Sequence, residues 1–223
     1  MVTPSVSPLD FNRIGVVVGL TAEARIARRC FARVEIGGGT AAGAEAAARR
    51  LIGQGAQALV SFGLAGGLDP MLRPGSVVIP DEVLTEGRVL ATDPDLNEQL
   101  GGATGHTLLG AAGIAATADA KRHLFIATGC AAVDLESGAV ARAGLPFAVL
   151  RAICDPAERD LPPAVLCALS GAGAIGLLRV IGSAIARPGQ MPALLALGRD
   201  AAAARRALVE RMGVIGRRSP ASL

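Results

Sequence analysis

Three short stretches of this chain are almost continuously apolar, and they constrain its fold more than any other feature: residues 14–20, 58–62 and 147–153. A strand with one face in water alternates apolar and polar side chains. A strand apolar on both faces has to be covered on both. Ala- and Arg-rich stretches of helical character follow at 22–29 and 40–53, the second entered through Gly37-Gly38-Gly39. Further strands are expected at 32–36, 77–80 and 131–135, and the strand at 58–62 is expected to end in a glycine loop over 63–67. Strands separated by helices and buried on both faces predict an α/β fold around a parallel or mixed sheet. Ligands in such folds gather at the carboxyl ends of the strands.

A length of 223 residues fits one domain, 1–223, better than two, and 51% hydrophobic residues exclude a mostly disordered chain. Aromatic residues make up only 2%, with no Trp or Tyr, so a platform for stacked bases is disfavoured and no nucleic-acid partner is expected. The net charge of +3 conceals an asymmetry. From Arg179 onward eight arginines face two acids, Asp200 and Glu210, which makes the tail +6 and the remainder −3. Residues 179–223 therefore read as a basic helical C-terminal extension, either a solvated helix face or a surface for an anionic partner. A break at Arg187-Pro188-Gly189-Gln190 precedes one long helix, or two, over 191–212, and 217–223 is expected to fray.

Residues 161–178 carry no charge, but Pro162, Pro163, Gly171, Gly173 and Gly176 interrupt them, which favours a buried segment over a membrane span. The first ten residues lack the basic and apolar regions of a signal peptide, so a cytoplasmic location is expected. Cys30, Cys130, Cys154 and Cys167 form no C-x-x-C, and the only histidines are His106 and His123; no metal site is expected.

Glu23, Glu136 and Asp155 each follow an apolar run within a few residues, where a parallel or mixed sheet brings strand ends to one rim. Clustered buried acids are costly unless paired or used, so their convergence would mark a site. Singly, each has a plainer reading. Glu23 and Glu136 fall at helix starts, where negative charge is favoured, and Asp155 could cap the turn before Pro156. Competing motifs fail in identifiable ways. Gly37-x-Gly39-x-x-Ala42 fits a loose dinucleotide fingerprint, but residues 56–64 hold no acid for the ribose. No G-x-x-x-x-G-K-[ST] or G-x-S-x-G occurs, and Lys121, the only lysine, stands in the wrong place for a phosphate loop.

Longer words carry a family resemblance. Gly63-Leu64-Ala65-Gly66-Gly67-Leu68-Asp69-Pro70, followed by Pro74-Gly75-Ser76-Val77-Val78-Ile79-Pro80-Asp81, resembles the G-x-A-G-G-L … G-D-V-V block of the purine nucleoside phosphorylase and methylthioadenosine/S-adenosylhomocysteine nucleosidase superfamily. Ala132-Val133-Asp134-Leu135-Glu136-Ser137 resembles its A-V-E-M-E ribose motif. Leu150-Arg151-Ala152-Ile153-Cys154-Asp155 resembles I-R-A-I-S-D, and Ile14-Gly15-Val16-Val17-Val18-Gly19 with Glu23 resembles the first strand and water-activating glutamate of the nucleosidase branch. The whole chain is similar to the hopanoid-associated phosphorylase group, through Ala139-Val140-Ala141, the stretch from Cys154 to Pro163, and Arg187-Pro188-Gly189-Gln190-Met191-Pro192.

The resemblance implies a three-layer fold with a central mixed, twisted sheet flanked by helices, no cofactor, and a homo-oligomer. It implies release of adenine from adenosylhopane to give ribosylhopane, with Asp155 as general acid to purine N7, Glu136 on the ribose hydroxyls and Glu23 activating water. Gly63, Leu64, Ala65, Gly66 and Leu135 would line the nucleoside pocket, and backbone at Ile114 and Ala115 would meet the adenine edge. Asp134 and Leu135 depart from the usual Glu and Met, and Leu64 replaces a small hydroxyl residue. Gly19-Leu20-Thr21-Ala22-Glu23 stands where trimeric phosphorylases have G-D-P-x-R, which favours water as nucleophile; Arg25, Arg28 or Arg29 keeps phosphate, and a phosphoribosylhopane product, open. Two other readings remain: a small substrate such as methylthioadenosine or S-adenosylhomocysteine, and a non-catalytic nucleoside- or lipid-binding protein, which would bind adenine without releasing it. A lipid-linked substrate requires contact with a membrane, and residues 179–223 would supply it on an anionic surface, making the protein peripheral on the inner face.

Overall fold

A computed structural model describes residues 10–162 and 191–218. The uncharged run at 161–178 falls almost wholly outside the described residues, as do the break at 187–190, residues 219–223 and the first nine residues. No helix among the described residues is long and apolar enough to cross a membrane.

Nine strands among the described residues form one mixed sheet. Its middle is parallel: β1 (Ile14–Val18) lies between β2 (Arg33–Ile36) and β3 (Ala58–Gly67), and β3 pairs on its other side with β9 (Phe147–Asp155). The antiparallel pairings are β4 (Val77–Val78) on β9, β8 (Ala132–Asp134) on the far end of β3, and the hairpin of β5 (Glu82–Thr85) with β6 (Arg88–Ala91). β7 (Thr107–Gly110) joins β5 to β8 in parallel. The hairpin turns on Glu86 and Gly87, both at positive φ (50° and 72°), the conformation whose twist suits a two-residue connection.

Helices cover both faces. Alternate residues of the central strands point to opposite sides: Val16, Val60 and Leu150 enter one core with α1 (Thr21–Ala27) and α3 (Pro94–Leu100), while Val17, Leu59 and Val149 enter another with α2 (Ala41–Gly53) and α5 (Ser137–Ala141). Gly15 lets α2 approach the sheet, since a Cβ there would lie 2.9 Å from that of Leu51. α4 (Ala118–Thr128) runs between β7 and β8, with Thr117 as its side-chain N-cap.

Two expectations are corrected. Residues 63–67 are not a loop but the second half of β3, held extended because β9 runs beside them in register from Gly63↔Arg151 to Ala65↔Ile153, then past a bulge to Gly66↔Asp155. The basic helix, α6, spans Met191–Arg218 and so runs through the start of the segment expected to fray. Ala204, Leu208, Met212 and Ile215, three or four residues apart, form its buried stripe. Full burial of Leu208, Met212 or Ile215 contributes about 1.5–3 kcal/mol each, an upper bound because an unfolded chain already hides some surface. Strand 77–80 shortens to Val77–Val78, and residues 81–130 supply three strands and two helices that the sequence reading did not assign.

Candidate active site

Glu23 stands in the first turn of α1, and each of its oxygens has a fixed donor. Oε2 accepts from the Leu20 N–H at 2.8 Å, serving the helix start, and Oε1 accepts from the Leu64 N–H of β3 at 2.9 Å. The helix-start reading of this residue is thus correct as far as it goes. Its carboxylate is nonetheless turned inward and buried, 5% exposed, against the strand ends.

Glu136 occupies the N-cap position of α5 but makes no cap hydrogen bond; Asp134 takes the Ser137 N–H instead, at 3.0 Å. Glu136 Oε2 meets Arg151 Nη2 at 2.8 Å, and the same nitrogen lies 2.6 Å from Asp134 Oδ2 and donates to Ser61 Oγ at 2.7 Å. Ser137 Oγ donates to the Asp134 carboxylate and is hydrogen-bonded to Ser61 Oγ at 3.0 Å. Burial would lower the Arg151 pKa, but Asp134, Glu136 and Glu23 outweigh it and raise it, so the guanidinium stays charged. Burial, opposed by Arg151 and reinforced by Asp134 and Glu23, pushes the Glu136 carboxyl up to about 7.

Glycines make the convergence of these acids possible. A Cβ on Gly19 would overlap Glu136 Oε1 and come within 3.4 Å of Glu23 Oε2, so both carboxylates close over Gly19. A Cβ on Gly63 would lie 2.5 Å from Glu23 Oε1 and 2.6 Å from Arg151 Nη1. A side chain at Gly19 would push the two acids apart, and one at Gly63 would displace Glu23 and Arg151.

Asp155, the last residue of β9, is paired rather than serving the turn at Pro156. Its Oδ2 lies 2.6 Å from Nζ of Lys121, whose side chain is fully buried. Burial raises the Asp155 pKa despite this cation, and Lys121 and Arg159 pull it back. The neighbouring Cys154 thiol is pushed up to about 12 by burial and by Asp155, so it stays protonated. Asp160, further along the chain, accepts from the Ala118 N–H at 2.7 Å and secures the start of α4.

Glu23, Glu136 and Asp155 line one cavity of about 310 Å³, within the range of small-molecule sites. Leu64, Ala65, Gly66, Leu135, Ile114 and Ala115 line it as well. Gly63 does not; it lies behind the wall, against Glu23 and Arg151. The Ala116 carbonyl is occupied by the Leu161 N–H at 2.8 Å, which ties the Ile114–Ala115 wall to the segment after β9. Gly39, set aside with the dinucleotide fingerprint, reaches the same cavity, and Leu197 and Ala201 of α6 close another side. Arg25, Arg28 and Arg29 lie on exposed positions, and no basic side chain lines the cavity among the described residues. A larger hollow of about 450 Å³, between α4 and the segments after β3 and β9, contains none of the three acids.

The supporting network of Arg151, Asp134, Ser61 and Ser137, and the Lys121 partner of Asp155, were not singled out as site residues from sequence. Serines in a strand and at a helix start are ordinary. Only the placement of Arg151 amid an apolar run, on a strand read as buried on both faces, was a usable signal.

The sequence model of the phosphorylase superfamily matches residues 30–108 of the chain. A comparison with curated proteins finds none that matches. Among solved structures, the Helicobacter pylori 5′-methylthioadenosine/S-adenosylhomocysteine nucleosidase superposes with TM-score 0.64 at 14% identity, over 92% of this chain and 100% of that one. The Neisseria meningitidis nucleosidase of the same name gives 0.62 at 18% identity, over 91% and 98%. The futalosine hydrolase of Helicobacter pylori gives 0.63 at 14%, over 92% and 98%. The mixed central sheet flanked by helices is the architecture of these proteins.

Proposed function

We propose that the cavity is the active site of a purine nucleosidase, which hydrolyses the N-glycosidic bond of a 5′-substituted adenosine and releases adenine. The observation that carries this reading is the meeting of three carboxylates from separate parts of the chain, each in a different environment, around one cavity. Glu23 is held by two N–H donors, Glu136 by a guanidinium, and Asp155 is buried against an ammonium with its pKa raised. The chemistry asks for that division. Adenine leaves readily only when its ring is protonated, and a carboxyl whose pKa burial raises holds a proton more readily for donation to N7. Glu136 accepts from the ribose hydroxyls, and its charge opposes the positive charge developing at C1′. Glu23 takes a proton from water as the water oxygen bonds to C1′ and the C1′–N9 bond breaks.

Water is preferred to phosphate because Arg25 of α1 and Arg28 and Arg29 just after it lie on exposed positions, and no basic side chain lines the cavity among the described residues. The same lack leaves nothing to pair with the carboxylate of an amino-acid tail. Leu20, Leu64, Ile114, Leu135, Leu161 and Leu197 give the cavity an apolar wall, with Leu20 and Ile114 53% and 40% exposed. An apolar 5′ substituent suits such a wall, and adenosylhopane, giving ribosylhopane, is the substrate this reading favours. Delivery of a lipid-linked substrate is assigned to α6, whose exposed positions include Arg199, Arg205, Arg206 and Arg217 against Glu210, with Leu195 57% exposed. Each arginine near an anionic bilayer contributes about 1 kcal/mol.

The test is chromatographic measurement of adenine released from adenosylhopane and from methylthioadenosine, each with and without phosphate. Release from the hopanoid without phosphate supports the reading. Preference for methylthioadenosine overturns the lipid substrate, and a phosphate requirement overturns hydrolysis. Flotation with liposomes that is insensitive to anionic lipid overturns the role of α6.

A further inference from the structure

α4 has a single fully buried residue, and it is a lysine. Lys121 is the only lysine among 22 basic residues; the other 21 are arginine. Its ammonium has three protons and three acceptors: Asp155 Oδ2 at 2.6 Å, the Pro156 carbonyl at 2.9 Å and the Arg159 carbonyl at 2.8 Å. The two carbonyls belong to the segment leaving β9, so the nitrogen is anchored independently of the carboxylate. A planar guanidinium could not replace this compact charge in the same space. Asp155 Oδ1 is also buried, and among the described residues it has no hydrogen-bond partner.

We propose that Lys121 is the positioning residue for Asp155: it fixes Oδ2, leaves Oδ1 to carry the proton, and receives the carboxylate that remains once that proton is given up. This rests on Asp155 being the general acid of the proposed reaction. Protonation of the purine converts a neutral buried acid to a buried anion, which is strongly unfavourable unless a cation already stands beside it. A donor kept neutral by burial alone would hold its proton too tightly. Lys121 supplies the opposing charge at the oxygen that does not carry the proton.

Among the described residues, the other charges that act on Asp155 are Arg159, beyond β9, and Asp200 of α6, which act in opposite directions and bond to each other. Cys154, beside it on β9, remains a neutral thiol. Lys121 is therefore the dominant cation at this carboxyl.

The experiment compares wild type with Lys121→Met and Lys121→Gln, two neutral replacements of which glutamine keeps hydrogen-bonding capacity if methionine prevents folding. In the protein without substrate, the infrared carbonyl band of protonated Asp155, assigned by its loss in Asp155→Asn, is followed against pH. Its midpoint should rise by at least about one unit, tenfold in the equilibrium, in either folded variant. In adenine release, kcat should fall about tenfold or more with KM changed less than about threefold, within the 10²–10⁴ that general acid catalysis supplies. The alkaline limb of the kcat profile should move to higher pH in step with the band. An unchanged midpoint, or an unchanged kcat beside a shifted midpoint, overturns the proposal. If wild type releases no adenine from any 5′-substituted adenosine, the general-acid role falls, and the infrared midpoints alone decide whether Lys121 governs the proton on Asp155.

Discussion

Glutamine in place of Glu136 is expected to leave stability at pH 5 almost unchanged and to raise it at pH 8. The cause is the carboxyl's environment: burial, with Asp134 and Glu23 nearby, lifts its pKa from 4.5 to about 7 even though Arg151 touches it. With the folded value above the unfolded one, the native state binds the proton more tightly. This contribution to stability is fully present below about 4.5 and is lost as pH rises through about 7. Lifting the pKa from 4.5 to about 7 corresponds to about 3–4 kcal/mol at about 1.4 kcal/mol per pH unit. Glutamine imitates the protonated form and has no proton to lose, so the variant should gain up to about 3 kcal/mol on wild type between the two pH values. Urea denaturation reads this directly; with m of about 2 kcal/mol/M, the midpoints should separate by about 1–2 M at pH 8 and nearly coincide at pH 5. Stability differences equal at both pH values would refute the reasoning. Wild type gaining on the variant as pH rises would show that the Arg151 pair outweighs burial.

Gly19→Ala should lower adenine release about 10²-fold by displacing the two carboxylates that close over this glycine, an effect of the size expected for misplaced reacting groups. Its thermal midpoint and that of wild type, measured beside the rate, should differ by only a few degrees, because the added methyl meets side-chain ends rather than backbone. Leu208→Ala removes a side chain fully buried in the contact of α6 with the body and should cost about 2–5 kcal/mol in urea denaturation. A smaller loss would mean that α6 docks less firmly than its buried stripe indicates.

What could be seen in the sequence depended on how local its cause was. Val16, Val60 and Leu150 are buried because each strand is apolar on both faces, a pattern that needs no partner to be recognised. Glu23, Glu136 and Asp155 were legible as strand-end acids, because a sheet of the expected kind has only one such rim. Gly63 to Gly67 read as a loop because three glycines in five residues indicate a turn. The pairing with β9 that keeps them extended involves residues more than eighty positions away. Lys121 was opaque for the same reason. Nothing in α4 distinguishes it from a surface lysine, and its meaning comes from Asp155, Pro156 and Arg159 across the sheet. β5 and β6, four residues each and each opened by a charged residue, are too short for apolar runs to reveal, although Glu86-Gly87 between them was a usable turn signal.

The central claim is that three carboxylates around one cavity divide the labour of breaking a purine N-glycosidic bond. Its most direct test is adenine release from methylthioadenosine and from adenosylhopane, in phosphate-free buffer, by wild type, Asp155→Asn and Glu23→Gln. Wild type should release adenine from at least one of them. On that substrate each variant should lose about 10²-fold or more in kcat, the contribution expected of a general acid or base. Binding of adenine by wild type with no release from either substrate, or undiminished release by the Asp155→Asn variant, would contradict the account.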